Sequence, residues 1–210
     1  MNVSHRINEN NEFLSFKEIA YDHVRQLTHL TKGVFVMPDL SYPIGKFVAE
    51  PNLDENKRKE LIDSLDKTPV RLLPAVADLS RKQLETPYRP GGWTVLQTVN
   101  HIADSHMNGF IRFKLALTED FPTIKPYQEK RWAQLEDGHN ANPEISLSLL
   151  VALHQRWTIL LRSLEPEEFA RQLNHPEMGV MSLNEMLQLY EWHGRHHVAH
   201  ITTLRRRMEW

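Results

Sequence analysis

The chain of 210 residues contains no cysteine, which excludes a disulfide framework and any thiolate metal site. A metal, if bound, is held by nitrogen and oxygen. Excess charge is lacking too: 25 basic and 27 acidic residues leave a formal net charge of -2, so no overall field favours phosphate-rich partners. No stretch approaches the roughly 20 apolar residues that span a bilayer. The opening MNVSHRINENNEFLSF lacks the basic region and unbroken apolar run of a signal peptide. GxGxxG, P-loop and HExxH patterns are all missing. The expectation is a cytoplasmic protein with a small-molecule partner, binding neither nucleic acid nor membrane.

What is present is helical periodicity. Residues 1–40 read as a polar appendage with one mixed segment, FLSFKEIAYDHVRQLTHL, that could form a helix, and residues 41–210 read as one domain. Met37 offers an alternative start for the compact part. A first helix is expected from near Asn52, its apolar positions Leu61, Ile62, Leu65, Leu72, Leu73, Val76 and Leu79 interrupted by Pro69 and Pro74. Thr94 and Gln97 form a capping box for a second, whose apolar face runs through Val99, Ile102, Phe110, Phe113 and Leu117. A long connection with a short helix around Glu129 to Leu135 leads to a third, opened by Asn142, Pro143 and Glu144. Ser182 and Glu185 cap the fourth, with Met181 and Met186 as a hydrophobic staple and Arg205, Arg206 and Arg207 near its negative end. No convincing alternating strand appears. The expected fold is all-α: an antiparallel four-helix bundle with a long connection between helices two and three.

The last helix carries HGRHHVAH, four histidines in eight residues. Residues four apart share a helix face, so His196 and His200 form one candidate pair and His193 with His197 another on the adjacent stripe. Spacing alone does not choose between them. A third imidazole has to come from another helix, where His101, His106 and His154 stand. Three imidazoles from two helices could hold a divalent ion with a position open for water, the arrangement of a catalytic rather than a structural site. Burying so many imidazoles without partners would cost free energy. His5, His23, His29, His139 and His175 read as ordinary surface or hydrogen-bonded residues.

NHIADSHMNGFIRFKLAL and LYEWHGRHHVAHI, with SYPIGKF and TPYRPGGWTVLQTV, resemble the DinB-like metal-dependent hydrolases, in particular the subgroup related to bacillithiol S-transferases, over about residues 40–210. The resemblance implies a four-helix bundle, commonly a homodimer. It also implies one zinc or nickel ion per subunit on His101, His196 and His200, with His193 and His197 around the pocket. Asn100 and Arg195 stand where a close relative of the subgroup has histidine.

A divalent ion would lower the pKa of bound water for hydrolysis. The alternative is a thiol S-transferase delivering bacillithiol or a similar low-molecular-weight thiol, which a cysteine-free chain must obtain from a cofactor. A non-catalytic, metal-stabilised bundle is the third reading. Asp104 and His197 are the candidates for proton transfer, and Tyr190, Trp192 and Met107 for an apolar pocket wall.

Overall fold

The computed structural model describes residues 39–210, which belong to a compact unit over Pro38–Trp210. The expected helix within FLSFKEIAYDHVRQLTHL lies outside the described residues. Four long helical segments make the bundle. The first is split into α1 (Glu55–Asp66) and α2 (Thr68–Val76), and a single turn, α3 (Arg81–Leu84), follows. The second is α4 (Val95–Thr118). Two short helices, α5 (Glu129–Trp132) and α6 (Glu136–Asn140), lie in the connection to α7 (Pro143–Arg162), and α8 (Leu183–Met208) closes the chain.

The ends of these helices follow from local chemistry. The capping boxes at Thr94 and Gln97 and at Ser182 and Glu185 both form. Asn142 accepts from the Glu144 amide, with Pro143 at the first helical position. The first helix starts later than Asn52: Asp54 is its cap, accepting from the Lys57 amide at 2.7 Å. The expected break falls at Lys67, since Pro69 lacks the amide that would continue the helix and instead sits in the first turn of α2. Leu79 lies beyond α2.

Neighbour relations set the topology. The α1–α2 segment and α4 each pack on both α7 and α8. The first segment and α4 therefore stand diagonally across the bundle, as do α7 and α8, whereas α4 and α7 are neighbours. Between the 3-10 turn Glu168–Ala170 and α8, a two-stranded antiparallel hairpin, β1 (Gln172–His175) and β2 (Gly179–Ser182), was not expected. It anchors the long connection: the Ile124 amide donates to the Asn174 carbonyl, and the Asn174 amide to Pro122.

Two apolar clusters fill the interior. One holds Phe110, Phe113, Trp157, Phe169, Met181, Met186 and Tyr190, the other Leu72, Val95, Val99, Ile102, Leu150, Ile201 and Leu204. Met181 and Met186 share the first cluster, as a staple requires. On α8 the histidines fall between these clusters, and with His101 and His106 of α4 they form a polar belt across the bundle. Arg205 does more than complement its own helix end: its guanidinium donates to the carbonyls of Pro74, Ala75 and Ala77, capping α2.

Candidate metal centre

Three imidazoles converge in the belt. His101 from α4 and His193 and His197 from α8 each offer a ring nitrogen, and these nitrogens lie within 4.8 Å of one another. His101 and His197 are buried, while His193 is half-buried. Among the described residues, no other three ligand-type side chains meet this way. His101 Nε2 and His193 Nε2 stand 3.3 Å apart. Two nitrogens each about 2.0–2.1 Å from a tetrahedral ion are separated by about 3.3 Å, so this spacing fits a shared first-row ion.

This grouping departs from the set implied by the resemblance. His196 and His200 do not join His101. His196 stacks on Trp192 with ring centroids 4.3 Å apart, and its Nδ1 is buried without a hydrogen-bond partner. His200 stacks on Tyr88 at 4.0 Å, with Nε2 3.4 Å from the Ser41 carbonyl. The physical reason is helical rotation. His196 is three residues beyond His193, which turns it about 60° around α8 and towards the segment SYPIGKF. Tyr42 of that segment reaches His196, and Phe47 packs against Trp192.

The electrostatics suit neutral nitrogen ligands. Burial pushes His101 down to about 3. His193 and His197 lie well below the ordinary histidine range, first through burial and then through neighbouring imidazoles. Near neutral pH each ring thus keeps a lone pair. Trp93 covers His101, with centroids 4.4 Å apart. A donor set of three imidazoles leaves at least one tetrahedral position open.

The remaining candidates separate into supports and bystanders. Asp104 is half-buried and outside the histidine group; burial, and then Asp137, raises its pKa to about 6. Tyr190 is buried, its hydroxyl accepting from Arg112 at 3.0 Å. Arg195 grips buried Glu191 through two hydrogen bonds, and Ser64 donates to the same carboxylate, tying α8 to α1. Asn100 is likewise structural: it donates to the Asp137 and Gly138 carbonyls and accepts from Ser146. His175 is buried in β1, where it accepts from the Glu177 amide.

Sequence reasoning offered His106 and His154 only as alternatives to His101 for the third imidazole; both are buried beside the centre, with His106 Nε2 3.2 Å from His193 Nδ1. Their only sequence signal is an inward position on α4 and α7.

A four-helix bundle crossed by a histidine belt defines a class of metal-binding bundle proteins. The model of the DinB superfamily matches residues 64–201, and the chain belongs to that family. A Bacillus cereus (strain 03BB102) protein named "Putative metal-dependent hydrolase" is 52% identical over 174 residues, covering 83% of this chain and 100% of the relative. A Bacillus mycoides (strain KBAB4) protein named in the same way is 51% identical over 174 residues, again 83% of this chain and 100% of the relative. Among solved structures, YfiT from Bacillus subtilis is described as a probable metal-dependent hydrolase with an unusual four-helix bundle topology. It superposes with a TM-score of 0.80 at 49% identity, covering 81% of this chain and 98% of that one.

Proposed function

We propose that this chain is a metal-dependent hydrolase acting on a small molecule, with one divalent ion, zinc or nickel, held by His101, His193 and His197. The observation that carries this reading is the 3.3 Å separation of His101 Nε2 and His193 Nε2, which suits two ligands of one tetrahedral ion. When bound, the ion would acidify a water molecule and polarise an electrophilic carbonyl. The chain's own part is to present three neutral imidazoles from two helices, with Trp93 limiting water on the His101 side. Asp104, with its raised pKa of about 6, is the nearest carboxyl in the sequence of α4 and is the candidate for proton transfer during turnover.

The names of the relatives favour hydrolysis over thiol transfer, although the same histidine group could serve a thiol S-transferase supplied with bacillithiol. A homodimer and a cytoplasmic location belong to the same proposal; sedimentation and cell fractionation test them. The chemical test measures metal by elemental mass spectrometry in untagged protein, then ester and amide hydrolysis with and without a low-molecular-weight thiol. About one ion per chain and thiol-independent cleavage are expected. Turnover only with the thiol would reassign the reaction, and no uptake of zinc or nickel would overturn the metal reading.

A further inference from the structure

Beyond the three converging imidazoles, His193 is backed by a line of buried histidines ending on a main-chain carbonyl. His193 Nδ1 lies 3.2 Å from His106 Nε2, His106 Nδ1 lies 2.9 Å from His154 Nε2, and His154 Nδ1 lies 2.8 Å from the Leu65 carbonyl oxygen. His106 and His154 are almost fully buried, at 0% and 1% exposure. This line begins at the break in the first helix. The amide that would ordinarily donate to Leu65, four residues on, belongs to Pro69, which has no N–H. The Lys67 amide at the helix cap also points at this oxygen, and the second lone pair of the carbonyl is available to a side chain.

A carbonyl oxygen only accepts, and that fixes the direction of the whole line. His154 must donate through Nδ1–H. A neutral imidazole has one N–H and one lone pair, so His154 Nε2 accepts from His106 Nδ1–H. His106 Nε2 then accepts from His193 Nδ1–H. His193 is left with its lone pair on Nε2, the nitrogen that faces His101. Neutral rings are what the surroundings favour: burial lowers His154 to about 4 and His106 well below the ordinary range.

We propose that His154 and His106 are positioning residues that lock His193 as its Nδ1–H tautomer and aim its Nε2 lone pair at the metal position. This rests on the assignment of His193 as a ligand and adds the device that prepares it. Ligating histidines characteristically donate their other N–H to an acceptor, and loss of that acceptor typically weakens metal binding about 10- to 100-fold. Here the acceptor is another imidazole, made directional by a carbonyl oxygen two histidines away.

The test combines spectroscopy on the unaltered chain with zinc affinity of variants. Long-range nitrogen–proton NMR reads each ring's tautomer. The Nδ1–H form is expected at His154, His106 and His193, both without metal and with zinc bound. An Nε2–H form at His154 or His106 overturns the relay.

Zinc competition against a chromophoric chelator should show about 10- to 100-fold weaker binding for His106→Phe. His106→Gln, whose carbonyl can accept from His193 and whose amide can donate to His154, should stay within about threefold of the unaltered chain. Unchanged affinity in a folded His106→Phe protein overturns the proposal. Failure of the underlying metal reading is distinct: the unaltered chain would then take up no zinc despite the expected tautomers, and the relay would lose its ligand-positioning role.

Discussion

His101 on α4 and His193 on α8 face one another through their Nε2 atoms at 3.3 Å. The relay behind His193 gives it a lone pair on that nitrogen. Without a cation, His101 must turn an N–H towards it. With a cation, both rings can offer lone pairs, and His197 supplies the third nitrogen.

Ligand identity separates the two stripes of α8. His193→Ala and His197→Ala should each lose most bound metal, whereas His196→Ala should keep it, because His196 packs on Trp192 outside the converging group. Elemental analysis of the three purified variants checks this. Retention in His193→Ala with loss in His196→Ala would restore the other stripe.

Acid should destabilise the metal-free fold. His154 titrates at about 4 in the folded chain against 6.5 ordinarily, so unfolding takes up a proton between these values. A depressed histidine pKa contributes stability above 6.5 that is lost as pH falls towards 4. Each proton bound only on unfolding adds a slope of about 1.4 kcal/mol per pH unit. Urea unfolding in a chelator between pH 7.5 and 4.5 should show this fall, to which His101, His106, His193 and His197 add in the same direction, and His154→Gln should make it shallower.

Asp104 has the opposite sign. Its folded pKa of about 6 lies above the ordinary 3.8, through burial and then Asp137. The folded state thus holds the proton more tightly, and this contribution is full below 3.8 and lost as pH rises through 6. Asp104→Asn should raise the thermal midpoint at pH 8 relative to the unaltered chain and leave it little changed at pH 4. Calorimetry at the two pH values would show whether the difference has that sign.

Close packing of α8 on α2 depends on Gly194. A Cβ there would stand 2.8 Å from Thr68 Oγ1 and 2.9 Å from Thr68 Cγ2, and Thr68 is buried. Gly194→Ala should destabilise by about 1–3 kcal/mol, outweighing the roughly 1 kcal/mol helix-propensity gain. Thermal unfolding measures the net effect.

Much of the bundle was legible because its signals are local. Thr94 with Gln97 and Ser182 with Glu185 announce helix starts, and the apolar face expected for α4 is buried at Val99, Ile102, Phe110 and Phe113. The hairpin was not legible, since four-residue strands are too short to display an alternating pattern against their turn. The histidine group was legible in composition but not in register. Both the 193/197 and 196/200 pairs satisfy four-residue spacing, and only the rotation of α8 against α4 and the SYPIGKF segment separates them. The relay was hidden for a further reason: it joins α1, α4, α7 and α8 through residues far apart in sequence, and its direction comes from the Leu65 carbonyl, which can only accept.

The most direct test of the centre is anomalous diffraction at the zinc edge from crystals of the zinc-loaded protein. The expected result is one peak about 2.0–2.1 Å from ring nitrogens of His101, His193 and His197, with His193 bound through Nε2. A peak on His196 and His200, or none at the histidine belt, would contradict it.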